Sequence, residues 1–266
     1  MDLELTGKRA LITGGSRGIG LAIARQLALE GARVALAARD PAALAAAATA
    51  LSAETGAEVF RFQVDTGDDA SVKALIGGAV AAMGGLDILV NAAAKPGGQA
   101  PPPKLAEITD ELFWQDVNIK VMGYLRCARE AAPHMIAQGW GRIINVSGLA
   151  ARQTGSTIGS IRNVSVAALT KSLADELGAH GINVTVIHPG LTRTEKTAPL
   201  IAARAAASGV APEEVEKRMA ANIVIGRIVD AEEIGYIAAF LASPKSVAIT
   251  GDAIAAGGGA RGAIHY

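Results

Sequence analysis

A glycine-rich run near the N-terminus is the part of this sequence best suited to holding phosphate. It reads Thr13-Gly14-Gly15-Ser16-Arg17-Gly18-Ile19-Gly20 and lies between a short apolar run and a longer alanine-rich run. Glycines allow a tight turn through which backbone N–H groups approach a pyrophosphate, and the N-terminus of a following helix adds a favourable dipole. The alternative to phosphate binding is an ordinary glycine-rich turn. The strand, helix and second strand predicted around the run favour dinucleotide binding.

The residues after the second apolar run indicate which dinucleotide binds. NAD-binding proteins usually place an acidic residue at this strand end for the ribose 2′-hydroxyl, whereas an arginine suits a 2′-phosphate. Ala38 takes the acid position, Arg39 follows it, and Arg17 offers a second guanidinium group for the phosphate. We therefore expect NADP(H) in preference to NAD(H). In the alternative, both arginines are solvated and Asp40 binds the ribose.

Seven short apolar runs must position these residues. They cover 9–13, 33–37, 58–64, 87–91, 141–147, 183–188 and about 253–256, and they alternate with longer alanine-rich runs. Strands that are apolar at nearly every position are typical of a parallel sheet covered on both faces. We predict one α/β domain over residues 1–266, with a doubly wound, Rossmann-type parallel sheet and helices on both faces. Within it, the segment 194–230 is predicted to be an insertion that contributes to the substrate site, with a helix beginning at Pro212.

Composition and charge argue against several classes of function. Lysine plus arginine and aspartate plus glutamate both total 25, and this lack of basic excess argues against nucleic-acid binding. The single cysteine, Cys127, excludes an internal disulfide and is expected to be a buried helix residue in a reducing compartment. The acidic start lacks the apolar core of a signal peptide, and no stretch is long enough to span a membrane. We expect a cytoplasmic protein without a membrane partner or a metal site.

Several motifs together make the chain similar to the short-chain dehydrogenase/reductase family over nearly its whole length. Residues 13–20 match the family's TGxxxGxG, Val90-Asn91-Ala92-Ala93-Ala94 resembles its NNAG strand end, and Pro189-Gly190 with Thr194 resembles its PG…T segment beside the nicotinamide. Asp65 matches the family's adenine-site aspartate; in the alternative it caps the helix that begins near Asp69. The glycine run and this resemblance predict a cofactor site formed by Gly14, Ser16, Arg17, Gly18, Ile19, Gly20, Arg39, Asp65, Asn91, Ala93, Asn163, Pro189, Gly190 and Thr194.

The same resemblance implies a catalytic asparagine, a serine that polarises the substrate oxygen, and a YxxxK pair. In that pair the tyrosine passes a proton, while the lysine holds the nicotinamide ribose and lowers the pKa of the tyrosine. Asn118 falls at the asparagine position. Alignment of residues 167–174 and 189–190 places Gly159 at the tyrosine and Asn163 at the lysine, and counting from residues 142–145 places Gly148, preceded by Ser147, at the serine.

Sliding the alignment does not restore the pair, because no tyrosine lies between Leu125 and Ile234. Gly159 has no side chain for proton transfer, and Asn163 can bond to a ribose but carries no charge. The candidate catalytic residues that remain are Asn118 and Ser147. The nucleotide half of the site is therefore predicted to be retained, and the half that handles protons to be rebuilt or lost.

Three functional hypotheses follow. The first is an NADP(H)-dependent oxidoreductase that acts on a small carbonyl or alcohol through a non-standard site, because hydride transfer is chiefly the chemistry of the cofactor. The second is a catalytically inactive NADP(H)-binding protein or sensor, and the third is a lyase or isomerase using the same pocket. Leu149, Trp114 and the segment 194–230 are expected to line a pocket for a small molecule. The resemblance further implies a homotetramer formed through two helices, one of them carrying the small residues Ala167, Ala168, Ser172 and Ala174.

Overall fold

Apolar residues at nearly every position of the central strands give a sheet that is covered on both faces. The computed structural model describes residues 1–95 and 101–261. The strands are β1 (Arg9–Thr13), β2 (Arg33–Ala38), β3 (Val59–Gln63), β4 (Ile88–Asn91), β5 (Gly141–Val146), β6 (Ile182–Pro189), β7 (Thr192–Arg193), β8 (Val229–Asp230) and β9 (Ala253–Ala256). The helices are α1 (Gly18–Leu29), α2 (Pro41–Thr55), α3 (Asp69–Met83), α4 (Asp110–Val117), α5 (Gly123–Gln138), α6 (Thr157–Leu177), α7 (Thr197–Ser208), α8 (Pro212–Ala220) and α9 (Ala231–Ala242).

Seven of the strands form one parallel sheet in the order β3-β2-β1-β4-β5-β6-β9. Strand order reverses between β1 and β4, and in open α/β sheets ligands bind at the carboxyl ends of the strands beside such a reversal. The predicted single Rossmann-type domain is confirmed, and the predicted strands agree with the observed ones to within one or two residues. The glycine run, the loop after β4 and the loop after β5 all meet at this edge.

Neighbouring residues along each central strand enter opposite hydrophobic cores, because side chains alternate across a sheet. Ile12 and Ile144 pack on one face against α1, α2 and α9, whereas Leu11 and Ile143 pack on the other face against α3, α5 and α6. The predicted burial of Cys127 is confirmed, since it lies on α5 within the second core. The two cores hold the sheet between layers of helices, and the site lies at the carboxyl ends of its strands.

The predicted insertion is bracketed by a small second sheet. β7 pairs with β8, so both ends of the segment lie side by side next to the main sheet. α7 and α8 lie between them around a small core of their own that includes Ile201 and Ile228. The predicted helix start at Pro212 is confirmed, because α8 begins there. In residues 1–95 and 101–261, no helix combines the length and apolar character needed to cross a membrane.

Candidate dinucleotide and substrate site

A single cleft of about 1070 Å³ runs along the carboxyl edge of the sheet. The glycine run forms one end of it, and it fits closely against its surroundings. A Cβ on Gly20 would lie 2.4 Å from the Gly14 carbonyl oxygen, and a Cβ on Gly14 would lie 2.7 Å from the Ala92 carbonyl oxygen. Gly14 also has a φ of 69°, a backbone conformation that glycine adopts without strain. A turn packed this closely has no room for side chains, so its backbone N–H groups can approach a bulky anion. The residues present therefore fit a dinucleotide pyrophosphate.

The first turn of α1 differs from the first turns of the other helices around the cleft. Asp40, Asp68 and Ser156 cap α2, α3 and α6 by accepting hydrogen bonds from backbone N–H groups. The N-cap of α1 makes no such side-chain bond. Instead, Gly18 N donates to Glu195 Oε2 at 3.1 Å. Because helix N-termini favour anions, the carboxylate stands where a phosphate oxygen is expected.

Two arginines at this end of the cleft carry unpaired positive charge. Arg17 and Arg39 are exposed, line the cleft, and have no carboxylate within ion-pairing distance in the described part of the chain. Asp40 also lines the cleft, but its Oδ1 accepts from Ala42 N at 2.9 Å and from Ala43 N at 3.1 Å. The acidic residue is thus used as a helix cap, while both guanidinium groups face a volume that a phosphate can enter.

The other end of the cleft is built from the loop after β5 and from α6. Ser147 and Gly148 follow β5. The Ser147 hydroxyl donates to the backbone carbonyl oxygen of Asn163 at 3.1 Å. A Cβ on Gly148 would lie 3.0 Å from Asn163 Nδ2, so the asparagine amide closes over the bare glycine. Ser147, Gly148 and Asn163 are therefore in contact with one another and all line the cleft.

A buried lysine lies beneath these three residues. Lys120 is 3% exposed, and its Nζ donates to the Ser147 carbonyl oxygen at 2.9 Å and to Asn163 Oδ1 at 3.0 Å. Burial lowers its pKa well below the usual lysine value, the charge of Arg162 lowers it further, and Asp116 opposes them. Lys120 also lines the cleft. The site thus holds an amine that is far easier to deprotonate than a surface lysine.

A π-helical turn, Asn118–Met122, carries Lys120 to this position between α4 and α5. Such turns contain an extra residue and frequently occur at functional sites. Asn118, at the start of the turn, directs both of its side-chain groups away from the cleft. Its Nδ2 donates to the Gly67 carbonyl oxygen at 3.0 Å, and its Oδ1 accepts from Arg126 at 2.9 Å.

Arg162 and Asp116 form an ion pair at the rim of the same region. Arg162 donates to the Asp116 carboxylate at 2.6 Å, and the two side chains are 11% and 18% exposed. Arg162 is thus mostly buried beside α4, and it lines the cleft. Since Asp116 is bonded to Arg162, it does not pair with Lys120.

His188 lies at the end of β6, directly before Pro189. It is 1% exposed, and its Nδ1 is buried without a hydrogen-bond partner among the described residues. Burial lowers the pKa of His188 to about 4, with smaller contributions from the charges of Arg152 and Lys120. The imidazole is therefore neutral at neutral pH.

Gly159 lies in the first turn of α6, where a side chain would meet the helix cap. Its N–H donates to Ser156 Oγ at 3.1 Å, and a Cβ would lie 2.7 Å from that same oxygen. A larger residue at this position must displace the capping hydroxyl. The glycine and the Ser156 cap are thus coupled features of this helix.

Comparison with known proteins places this geometry in a family. A family model described as enoyl-(acyl carrier protein) reductase matches residues 14–261. The chain is 34% identical over 263 residues to 3-oxoacyl-[acyl-carrier-protein] reductase FabG of Staphylococcus aureus, covering 95% of this chain and 97% of that protein. The chain belongs to the short-chain dehydrogenase/reductase family of oxidoreductases.

Solved structures of this family agree over almost the whole chain. L-sorbose reductase from Gluconobacter frateurii, in complex with NADPH and L-sorbose, has a TM-score of 0.90 and 31% identity, covering 99% of this chain and 100% of that chain. Actinorhodin polyketide ketoreductase with NADPH has a TM-score of 0.86 and 32% identity, covering 95% and 96%. The family resemblance inferred from the motifs is confirmed.

The cleft of this short-chain dehydrogenase/reductase brings most of the predicted site residues together. Of the predicted cofactor residues, the following line it: Gly14, Ser16, Arg17, Gly18, Ile19, Gly20, Arg39, Ala93, Asn163, Pro189, Gly190 and Thr194. Asn91 is fully buried and donates to Asn145 Oδ1 at 3.0 Å, and Asp65 is exposed and accepts from Gly67 N at 2.9 Å. Neither lines the cleft as the chain stands. The alternative role of Asp65 as a helix cap is wrong, because Asp68 caps α3.

Two further expectations are corrected. Trp114 does not line the cleft; it is 62% exposed on α4 and packs edge-on against Phe113. Ala174 is buried in the protein's own core, so it is not available to a partner helix. Leu149 does line the cleft, together with Thr194 and Ile223 of the predicted insertion.

Sequence reasoning missed the contacts of four charged residues in or beside the site. Lys120 stands two residues after Asn118 in an otherwise apolar stretch, and an isolated lysine in such a stretch is the signal that could have revealed it. The Arg162–Asp116 pair joins residues from α6 and α4, and no local pattern predicts it. Glu195 follows the matched Thr194 directly, but its contact with Gly18 depends on how the insertion folds back.

Proposed function

We propose that this protein is an NADP(H)-dependent oxidoreductase that interconverts a small carbonyl compound and its alcohol without the family's tyrosine and lysine. The observation that carries the proposal is one continuous cleft with unpaired guanidinium groups at one end and Ser147, Asn163 and Lys120 at the other. A dinucleotide laid along it has its phosphates at the glycine run and its nicotinamide near Pro189 and Gly190. Bound NADP(H) supplies or accepts the hydride.

The preference for NADP(H) rests on Arg17, Arg39 and Asp40. Both arginines face the cleft without a carboxylate partner in the described chain, and the Asp40 carboxylate caps α2. Guanidinium groups bind phosphate through paired, charge-assisted hydrogen bonds. The two solved relatives with NADPH bound support the same assignment.

The non-standard character of the site rests on Gly159, Asn163 and Gly148. These residues stand where the family resemblance places tyrosine, lysine and serine, and two of them have no side chain. Ser147 does not simply replace the missing serine, because its hydroxyl already donates to the backbone carbonyl oxygen of Asn163. Asn118 turns its side chain toward Gly67 and Arg126. Of the two candidate catalytic residues, Ser147 alone lines the cleft.

The substrate is proposed to be a small carbonyl or alcohol of mixed polarity. Leu149, Leu191 and Ile223 give the substrate end of the cleft apolar walls, while Asn222 and Gln153 add polar groups. The relatives include reductases named for an acyl-carrier-linked ketone and for a sugar ketone, and these two classes define the first compounds to test.

Binding and specificity can be tested by fluorescence titration with NADPH and NADH. Replacing both Arg17 and Arg39 with alanine is expected to weaken NADPH binding about tenfold to a hundredfold and to leave NADH binding nearly unchanged, because hydrogen bonds to charged groups contribute about 1.5–3 kcal/mol. Arg61→Ala removes an exposed arginine outside the cleft and is the matched control. Absence of NADPH binding at millimolar concentration would overturn the proposal.

A catalytically inactive NADP(H)-binding protein is the second candidate, and the glycine at position 159 favours it. Turnover of a panel of ketones, sugar ketones and thioester-linked ketones, followed by NADPH absorbance, distinguishes the two. Tight binding with no turnover, together with activity gained in Gly159→Tyr combined with Asn163→Lys, would establish the inactive form. No contact in the described chain favours the lyase or isomerase hypothesis.

The protein is further proposed to form a homotetramer through α4 and α6. Ile161, Val164 and Ala168 lie on one exposed face of α6, and Trp114 and Leu112 are exposed on α4. Burying such residues against a second copy would remove apolar surface from water. Light scattering tests the assembly, and a monomer at micromolar concentration would contradict it.

A further inference from the structure

Lys120 is buried without a carboxylate to neutralise it. No carboxylate of the described chain lies within ion-pairing distance of its Nζ, and the nearby Asp116 is bonded to Arg162. A buried charge normally has a counter-ion, because transferring an unpaired charge from water is strongly unfavourable. Packing alone does not explain such a residue, since a methionine would fill the same space without the charge.

The hydrogen bonds of Lys120 leave one N–H donor of its ammonium group without a partner in the described chain. An ammonium group has three N–H donors and no acceptor, and two of them reach Ser147 O and Asn163 Oδ1. The third has no partner in the described chain. Because an ammonium group can only donate, the amide oxygen of Asn163 faces the protonated Lys120, which turns the Asn163 NH₂ group toward Gly148. Both Lys120 and Asn163 line the cleft.

Burial and one neighbouring charge favour the neutral form of Lys120. Arg162 on α6 and Asp116 on α4 are the charged groups that act on it, and the neutral imidazole of His188 lies nearby on β6. Burial and Arg162 lower the pKa of Lys120, and Asp116 only partly opposes them. Its proton is therefore released far more readily than that of a surface lysine, which is the property required of a general acid near neutral pH.

We propose that Lys120 is the proton donor of this site in carbonyl reduction and the proton acceptor in alcohol oxidation. The inference rests on the proposed function. As the carbonyl carbon accepts a hydride, its π electrons move onto the oxygen, and that oxygen takes a proton from Nζ. The N–H bond breaks, its electron pair remains on nitrogen as a neutral amine, and solvent water reprotonates the amine before the next turnover. The Asn163 NH₂ group donates to the same oxygen while its charge develops.

Lys120→Met tests the proposal, with Lys73→Met on the exposed face of α3 as the matched control. Lys120→Met is expected to lower kcat about 10²–10⁴-fold, the usual contribution of general acid catalysis. Its dissociation constant for NADPH should stay close to that of the wild type. In the wild type, kcat for reduction should fall as pH rises through the pKa of Lys120, and the variant should lack this dependence. A variant that keeps its kcat and its pH profile overturns the proposal.

Lys120→Arg separates proton transfer from positive charge, because arginine keeps its proton at every accessible pH. Loss of turnover in this variant supports proton donation, and full retention would show that charge alone suffices. Thermal unfolding establishes that each variant is folded.

NMR of ¹³C-lysine-labelled wild-type protein gives a measurement that needs neither a variant nor turnover. Lys120 is expected to titrate below the ordinary lysine range and to shift when NADPH binds. An ordinary pKa, unaffected by NADPH, overturns the role of Lys120. Wild-type protein that binds NADPH but converts no substrate overturns the proposed function instead, so the two failures are distinguishable.

Discussion

The two ends of the cleft are built in opposite ways. At the phosphate end, the decisive groups are backbone atoms of a close-fitting glycine turn and two exposed arginines without carboxylate partners in the described chain. At the nicotinamide end, the polar groups are buried and bonded to one another, as in the contacts of Lys120 with Ser147 and Asn163. The first end is fixed by local sequence, whereas the second depends on contacts between distant segments.

This contrast shows why a chain can keep the cofactor-binding motif of a fold while losing its catalytic motif. The glycine run needs only a strand before it and a helix after it, so it survives changes elsewhere in the chain. Proton transfer needs a group of suitable pKa at one point in space, and the chain can supply that group from α6 or from the turn before α5. Four predictions test this contrast, in order of decreasing free-energy effect.

Acidification is expected to destabilise the protein by about 3 kcal/mol through His188, since the pKa of this residue is about 4 in the folded state against 6.5 for the free side chain. Between these values the unfolded chain binds the proton and the folded chain does not. The stabilisation is therefore complete above pH 6.5 and is lost as pH falls toward 4. Urea unfolding across this range should show a steeper slope in wild type and in the exposed control His134→Gln than in His188→Gln, where only the carboxylates contribute. Equal slopes in all three would contradict the buried, neutral imidazole.

Gly20→Ala is expected to damage the phosphate end. Its Cβ would lie 2.4 Å from the Gly14 carbonyl oxygen, so the turn must shift. Such overpacking typically costs about 1–3 kcal/mol, which corresponds to a loss of NADPH affinity of about tenfold to a hundredfold if the shift is expressed on binding. Gly77→Ala adds the same methyl group to an exposed helix position with open space and should bind NADPH normally. Unchanged affinity in Gly20→Ala would show that the turn does not hold the cofactor.

A double-mutant cycle between Ser156 and Gly159 tests the coupling at the start of α6. Ser156→Ala removes the helix cap and should reduce the free energy of unfolding by about 1 kcal/mol. In a Gly159→Ala background the same change should have little effect, because the added Cβ already displaces the capping hydroxyl. Thermal or urea unfolding of the four proteins measures the coupling. Additive effects would show that a side chain fits at position 159 without disturbing the cap.

Glu195→Gln is expected to have the smallest effect and to strengthen cofactor binding. The Glu195 carboxylate accepts from Gly18 N at the start of α1 and competes there with a phosphate. Removing a charge near a helix terminus changes the free energy by about 0.3–1 kcal/mol, so NADPH affinity should rise about two- to fivefold at low salt. Glu213→Gln on the exposed side of α8 is the control. A weaker affinity in Glu195→Gln would mean that the carboxylate assists the cofactor.

The parts of the molecule that sequence predicted are those governed by local rules. Alternating apolar runs predicted the sheet, and the glycine turn, Arg17 and Arg39 line the cleft, while their binding of a cofactor stays a prediction. Asp68 rather than Asp65 caps α3, because capping depends on a backbone conformation that residue type alone does not specify. Lys120 was missed because its position depends on the geometry of a helix and on packing against β5 and α6.

The π-helical turn Asn118–Met122 also has a consequence for how this chain can change by insertion or deletion. Each residue of an α-helix rotates the next by about 100°, so one additional residue changes which side of the helix every later side chain faces. Deleting a single residue here would rotate α4 relative to α5 and carry the ammonium group out of the cleft, with every recognised motif left intact. The number of residues in this helix, as much as their identity, therefore determines whether Lys120 reaches the site.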